Sequence, residues 1–105
     1  MNADNIYKNV DILDSVKRIK LKLYKYIKPT PLVASSFGWL KMELWQPTNS
    51  FKVRPAFCSV LMHLDECRAR GVVTSSSGNF AQALAYVAHA LGIKATIVMT
   101  ADASP

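Results

Sequence analysis

The sequence predicts an α/β fold with a parallel βαβ unit, and three observations in its last third support this fold class. Residues 72–75 form a short β-branched run typical of a strand, and a small polar loop follows over residues 76–79. The apolar spacing becomes helical over residues 80–91, and Gly92 stands where a helix ends. A second strand-like run then covers residues 93–99. Strand, tight loop, helix and strand imply two parallel strands joined by a crossover.

An amphipathic helix is predicted upstream of this unit, over residues 10–27. It is indicated by apolar residues at three- and four-residue steps: Ile12, Val16, Ile19, Leu23 and Ile27. The short run 19–23 also alternates as a strand would, so both alternatives stay open there. Pro29 and Pro31 end the helix, because each proline restricts the residue before it to extended conformations.

A strand and a second helix are predicted in the middle of the chain. Residues 39–45 read as a strand, which Pro47 and the turn-forming residues Thr48 and Asn49 interrupt. Residues 56–70 carry helical apolar spacing, and Gly71 follows in the position that a helix C-terminus prefers.

The composition excludes several classes of protein. Half of the 105 residues are hydrophobic, so we expect one small folded domain rather than a disordered chain. The chain has no apolar run near the roughly 20 residues that span a bilayer and no signal-peptide pattern at its start. We therefore expect a cytoplasmic protein that does not bind membranes.

The net charge of +6 arises from a basic block without acidic residues: Lys17, Arg18, Lys20, Lys22, Lys25 and Lys28. Such a block could attract nucleic acid or an anionic surface. It carries no recognised nucleic-acid motif, and lysine is common on solvated helix faces. Nucleic-acid binding is therefore the disfavoured alternative.

The cysteines and histidines give little support for a metal site. Cys58 and Cys67 lie nine positions apart in a predicted helix, where free thiols are the default without a secretion signal. His63 and Cys67 are an i, i+4 pair, but the sequence offers no fourth ligand and no paired-cysteine spacing. We expect no metal.

Two short segments have the residue types of a reactive site. In "NSFKVRPA" a single lysine, Lys52, lies between apolar residues, where an ammonium either extends to water or is partly desolvated and becomes a nucleophile toward aldehydes. In "SSSGNF" the loop leads from a strand into a helix N-terminus, where free N–H groups and the helix dipole favour a carboxylate or phosphate. Ser and Asn are also ordinary capping residues, so that alternative stays open.

Read in order, "PTPL", "LKMELWQPTNSFKVR" and "TSSSGNFAQALAYVAHALG" resemble the threonine dehydratase and serine racemase group of pyridoxal-phosphate enzymes. This group has the second fold type, related to the tryptophan synthase β subunit. The resemblance runs from about Asp11 to the end. It implies the N-terminal portion of that fold, as one incomplete catalytic-domain fragment over residues 1–105: a helical segment (1–28), a strand with the lysine motif (29–55) and a helix with the βαβ unit (56–105).

The resemblance also implies roles for seven residues. Lys52 is expected to be the Schiff-base lysine for pyridoxal 5′-phosphate, with Phe51 near the cofactor ring and Asn79 bonded to its phenolic oxygen. The remaining expected substrate-binding residues form one list: Ser76, Ser77, Gly78, Asn79 and Phe80. Ser77 also matches the second acid/base of the racemases.

The expected activity is that of an amino-acid lyase that deaminates threonine or serine to a 2-oxo acid and ammonia. The alternatives are a serine racemase-like enzyme and a non-catalytic remnant or partner subunit. We expect an amino-acid substrate and either a homo-oligomer or a complementary C-terminal chain, because open sheet edges favour association.

Three departures from the pattern bear on activity. Pro55 replaces the usual glycine, so we expect either that the helix begins later, near Arg54, or that Lys52 is displaced. Phe80 stands where histidine is usual. The glycine-rich phosphate-binding loop of the group is not found, because the four glycines (Gly38, Gly71, Gly78 and Gly92) are isolated. We therefore expect the N-terminal piece of a longer enzyme.

Overall fold

The computed structural model describes residues 11–105, which form helices, a β-hairpin and a parallel strand pair. The elements in chain order are α1 (Ile12–Leu23), β1 (Leu32–Ser35), β2 (Gly38–Lys41), α2 (Val53–Met62), α3 (Leu64–Arg70), β3 (Val72–Ser75), α4 (Asn79–Leu91) and β4 (Ala95–Val98). Two short 3-10 turns, Glu43–Trp45 and Pro47–Asn49, connect β2 to α2. The predicted α/β fold class is confirmed.

Helix α1 is the amphipathic helix that the apolar spacing predicts near the start of the chain. Asp11 caps its N-terminus, since the Asp11 carboxylate accepts a hydrogen bond from the backbone N–H of Asp14 at 3.0 Å. The helix ends at Leu23, and residues 24–27 continue as turns. Leu23 and Ile27 are buried in the core. Residue Val10, at the start of the predicted helix, lies outside the described residues.

The predicted strand over residues 39–45 is only partly right. Strand β2 covers Gly38–Lys41 and pairs in antiparallel register with β1, so that Leu32 lies opposite Lys41. After β2 the chain turns into the 3-10 segment Glu43–Trp45. Apolar residues continue through both parts, which is why the sequence pattern does not show where the strand ends.

The single helix predicted over residues 56–70 is two helices, α2 and α3. The break is at His63, whose φ of −127° and ψ of 35° are not helical. The apolar spacing runs across this break without interruption, so periodicity alone does not reveal it. The end of α3 agrees with the prediction, because Gly71 has a φ of 79°.

The predicted βαβ unit is confirmed. Strands β3 and β4 are parallel, with Val72 opposite Ala95 and Ser75 opposite Val98, and α4 connects them. Gly92 ends α4 in the left-handed conformation, with a φ of 65° and a ψ of 37°.

The hydrophobic core lies where α2 packs against α4 and α1. Phe57 of α2 is fully buried, and its ring stacks on Tyr26 with 5.1 Å between the ring centroids. The edge of Tyr86 meets the same ring at 6.3 Å. Helix α4 also packs against β3 and β4, but Val73 and Val98 stay 72% and 56% exposed. One face of this parallel pair is therefore open.

Two structural findings concern membranes and metals. Within residues 11–105, each helix is too short or too polar to cross a bilayer. In the same residues, His, Cys, Asp and Glu side chains do not gather in groups of three or more that could hold a metal ion. Cys58 lies in α2 and Cys67 in α3, and both are free thiols.

Candidate active site

The segment before Lys52 forms a backbone turn that ordinary residues rarely adopt. Thr48 and Asn49 have φ values of 69° and 57°. This left-handed region costs a residue other than glycine roughly 1–2 kcal/mol, and it is least tolerated by β-branched residues such as threonine. The Thr48 hydroxyl oxygen is buried and has no hydrogen-bond partner among the described residues. Strained residues and unpaired polar atoms of this kind are concentrated at ligand-binding sites.

Lys52 lies at the N-cap of α2 and is half-buried. Its ammonium nitrogen is 5.0 Å from the centroid of the Phe51 ring, and its backbone N–H donates to the Ser50 hydroxyl at 3.3 Å. Phe51 itself is 54% exposed, so this ring is available to a planar ligand beside the amine. The amine is therefore held against an aromatic face instead of extending freely into water.

Pro55 does not interrupt α2. The helix begins at Val53, so Pro55 is its third residue, in the first turn, where a missing N–H is tolerated. Pro55 has no N–H to donate to the Phe51 carbonyl, which accepts instead from the Arg54 N–H at 3.0 Å. The later helix start that the sequence offered as one of two outcomes is therefore the correct one.

The carboxylate of Glu43, to which the sequence pattern assigns no role, lies beside the lysine motif. Both oxygens of Glu43 accept from the Arg54 guanidinium, at 2.7 and 2.8 Å. The Thr30 hydroxyl and the Gln46 amide also donate to it. The hydrogen bonds from Arg54 are the main reason that the pKa of Glu43 falls from 4.5 to about 2, with burial opposing the shift. In the sequence, the only sign of this ion pair is that Glu43 and Arg54 both occur within "LKMELWQPTNSFKVR".

The predicted anion-binding loop lies at the carboxyl end of β3, as expected for an α/β sheet. Gly78 is the N-cap of α4, and among residues 11–105 no side chain caps this helix. The first-turn N–H groups of α4 therefore keep their capacity to bind an anion, which favours the ligand-binding interpretation of the loop over ordinary capping. A Cβ at Gly78 would have no described atom within 4 Å, so there is space for a ligand above the loop.

The side chains of the loop and of the first turn of α4 differ in their exposure to solvent. Ser77 and Asn79 are exposed, and Ser76 is half-buried, with its N–H bonded to the Val98 carbonyl at 3.0 Å. The Phe80 side chain packs against the hydrophobic core. Phe80 can therefore offer a ligand only its backbone N–H, and the polar contact of the usual histidine is not replaced.

Helix α4 carries both halves of the candidate site. It begins directly after the serine–glycine loop, and it packs against the turn Pro47–Asn49 and against α2. Along the chain, Ser50, Phe51 and Lys52 lie between those two elements. Helix α4 thus joins the predicted anion-binding loop at its own start to the helix whose N-cap is Lys52.

Comparison with known proteins decides the family. The family described as "Pyridoxal-phosphate dependent enzyme" matches residues 23–105. The chain belongs to this family of pyridoxal-phosphate-dependent enzymes.

Several members of the family resemble the chain in sequence. It is 40% identical over 101 residues to the L-threo-3-hydroxyaspartate ammonia-lyase of Saccharomyces cerevisiae, and the aligned region covers 89% of the chain and 30% of that enzyme. It is 40% identical over 95 residues to the L-threonine ammonia-lyase of Thermotoga maritima, covering 83% of the chain and 24% of that enzyme. The chain therefore spans less than a third of the length of these relatives.

Solved structures give the same result for the fold. The serine racemase from Dictyostelium discoideum superposes with a TM-score of 0.81 at 34% sequence identity, over 88% of the chain and 33% of the racemase. A pyridoxal 5′-phosphate-dependent aspartate racemase gives a TM-score of 0.78 at 31% identity, over 88% of the chain and 32% of that racemase. The predicted fold type and the predicted cofactor, pyridoxal 5′-phosphate, are confirmed at the level of the family, whose members include both lyases and racemases.

Proposed function

We propose that this pyridoxal-phosphate-dependent enzyme is an ammonia-lyase that acts on a hydroxy amino acid such as threonine or serine and releases a 2-oxo acid and ammonia. The observation that carries this proposal is that α4, whose uncapped start follows the serine–glycine loop, packs against α2, whose N-cap is the half-buried Lys52. The named functions of the similar ammonia-lyases support the reaction class.

The residues present fit the aldehyde and the ring of the cofactor, and an amino-acid substrate. Lys52 has the primary amine that bonds to the cofactor aldehyde, and the exposed Phe51 ring beside it offers an apolar surface to the cofactor ring. Asn79 can donate its amide to the phenolic oxygen. When bound, pyridoxal phosphate supplies the electron sink that stabilises negative charge at the α-carbon.

The chain's own residues then position the substrate and move protons. The first-turn N–H groups of α4, with Ser76 and Gly78, hold the substrate carboxylate, because that end of the helix favours an anion. When the Lys52 amine is not bonded to the cofactor, it removes the α-proton of the substrate. Ser77, which is exposed at the same loop, is the candidate for a second acid/base group.

The test uses covalent attachment and turnover in sequence. Purified protein is mixed with pyridoxal phosphate, the visible absorbance of the bound cofactor is recorded, and borohydride reduction followed by peptide mass spectrometry identifies the modified lysine. We expect modification of Lys52, loss of the absorbance in Lys52→Ala, and no change in Lys94→Ala, which removes an exposed lysine before β4. Ammonia release from threonine and serine then tests the lyase activity. Modification spread evenly over the surface lysines would refute the assignment of Lys52.

A racemase is the second candidate, favoured by the similarity to the serine racemase and aspartate racemase structures. In a racemase, a group on the opposite side of the substrate from Lys52 exchanges the α-proton, and Ser77 is the candidate. Chiral analysis of serine after incubation distinguishes the two reactions. Formation of D-serine that is lost in Ser77→Ala, without ammonia release, would replace the lyase proposal by the racemase. Covalent binding of the cofactor without either product would indicate a non-catalytic member of the family.

We also propose that the open face of the β3–β4 pair is covered by further protein, either a second copy or a complementary chain. Val73 and Val98 are largely exposed there, and strands with open edges readily pair with other chains. Size-exclusion chromatography with light scattering tests this, and a stable monomer with cooperative unfolding would contradict it.

A further inference from the structure

The ion pair between Glu43 and Arg54 links distant segments around the lysine motif. The two side chains are only 21% and 23% exposed, unlike the exposed pair of Arg70 with Glu66 in α3. Glu43 also accepts from Thr30, which precedes β1, and from Gln46, which lies between the two 3-10 turns. One carboxylate therefore joins the base of the hairpin, the turn region and the first turn of α2.

Arg54 occupies a position whose backbone conformation is unfavourable. It precedes Pro55, and a residue before proline is disfavoured in the helical region. Arg54 is nevertheless part of α2. In addition, α2 has no acidic residue in its first turn, while both Lys52 and Arg54 place positive charge at this N-terminus. Cations at a helix N-terminus are destabilising, so a nearby carboxylate offsets this cost.

We propose that Glu43 and Arg54 are positioning residues for Lys52: their two hydrogen bonds hold the first turn of α2, and with it the backbone that carries the amine. The connection is short. The Arg54 N–H bonds to the Phe51 carbonyl at 3.0 Å, and the Ala56 N–H bonds to the Lys52 carbonyl at 3.2 Å. Loosening the Arg54 side chain therefore loosens the residues on both sides of Lys52.

This inference rests on the proposed role of Lys52, and it predicts a change in the rate at which Lys52 reacts. A misplacement of about 1 Å can reduce the rate at a reacting group by about a hundredfold. Loss of the ion pair leaves the core contacts of α2 in place, because Val53, Ala56 and Phe57 remain buried. We therefore expect the variants to stay folded, so that the reactivity of Lys52 can be compared between folded proteins.

The experiment compares three variants of the full chain. Glu43→Gln removes the charge at nearly constant shape. Arg54→Lys keeps a positive charge but removes the planar group that makes two parallel bonds. Glu66→Gln is the matched control, because it makes the same chemical change in the exposed ion pair of α3.

Two measurements are made on each variant. The first is the rate at which pyridoxal phosphate modifies Lys52, trapped by borohydride and counted by peptide mass spectrometry relative to Lys94 in the same sample. The second is amide hydrogen exchange at Arg54 and Ala56, which needs no cofactor. We expect Glu43→Gln and Arg54→Lys to lower the Lys52-to-Lys94 ratio about tenfold, on the scale set by small misplacements. Exchange at both amides should speed up about tenfold more than exchange in the rest of α2. Glu66→Gln should change neither.

The outcomes separate this inference from the proposed function. If Lys52 of the unchanged protein is modified preferentially and the ratio stays constant in Glu43→Gln and Arg54→Lys, the positioning role is overturned while the function stands. If the unchanged protein shows no preference for Lys52, the proposed function fails, and hydrogen exchange decides the positioning role: exchange that speeds up more in the first turn of α2 than in the rest of α2 and α4 supports it, and unchanged exchange overturns it. An equal increase in exchange throughout α2 and α4 also overturns it, because the ion pair then serves only the fold as a whole.

Discussion

The acid dependence of stability is a direct test of the environment of Glu43. Its pKa is about 2 in the folded chain and 4.5 without the fold, chiefly because of the hydrogen bonds from Arg54. Between these values the unfolded chain binds more protons, so folding becomes less favourable as the pH falls from about 4.5 to about 2. At about 1.4 kcal/mol per pKa unit the shift corresponds to roughly 3 kcal/mol, and partial exposure to solvent reduces this to about 2 kcal/mol.

The assay is urea unfolding, followed by circular dichroism, of the unchanged protein and of Glu43→Gln at several pH values from 7 to 2.5. We expect Glu43→Gln to lower the free energy of unfolding by about 2 kcal/mol at pH 7. The difference should shrink below pH 4.5, because Glu43 of the unchanged protein is then protonated in the unfolded chain but still charged in the folded chain, which lowers the free energy of unfolding. Glu66→Gln, in an exposed ion pair, should have little effect at any pH. A difference between the unchanged protein and Glu43→Gln that stays constant down to pH 2.5 would refute the reasoning.

Two further predictions concern backbone positions with positive φ, measured by the same urea unfolding at pH 7. Gly71→Ala should destabilise the chain more than Gly92→Ala. At Gly92, which is in the left-handed conformation, alanine imposes strain of about 1–2 kcal/mol. Gly71, with a φ of 79° and a ψ of −175°, has a conformation essentially limited to glycine, and a new Cβ there would lie 2.8 Å from the backbone oxygen of Lys94. Equal losses would show that β4 moves away without cost. At Asn49, with a φ of 57°, replacement by alanine should cost about 1 kcal/mol while replacement by glycine should be nearly neutral. A neutral Asn49→Ala would show that the turn does not hold this conformation in solution.

The parts of the fold that follow from neighbouring residues could be predicted from the sequence. The βαβ unit is an example, because Gly71 and Gly92 mark the helix ends and each is followed by a short strand with β-branched residues. Boundaries that depend on distant contacts could not be predicted. The strand predicted to reach Trp45 ends at Lys41, and the chain then turns toward Glu43, whose partner Arg54 is eleven residues away.

The same distinction applies to the candidate site. Lys52 and the loop before α4 are visible in the sequence, because each combines residue type with a local turn or helix start. The sequence also placed a turn at Thr48 and Asn49, but it did not show that both residues adopt positive φ. That conformation is held by packing of the turn against α4, which is a tertiary contact. The role of the Glu43 carboxylate was missed for the same reason.

The small side chains of α4 have a consequence for the reach of the lysine. Ala83 and Ala88 are buried in the core formed by α2 and α4, and small side chains at a helix contact favour the short end of the usual range of about 8–10 Å between axes. Under the proposed function, the distance between the axes of α2 and α4 contributes to the separation between the tip of residue 52 and the serine–glycine turn. Methyl groups in the interior then help to determine the gap that a substrate bridges, and enlarging one of them is expected to widen it without touching a polar atom.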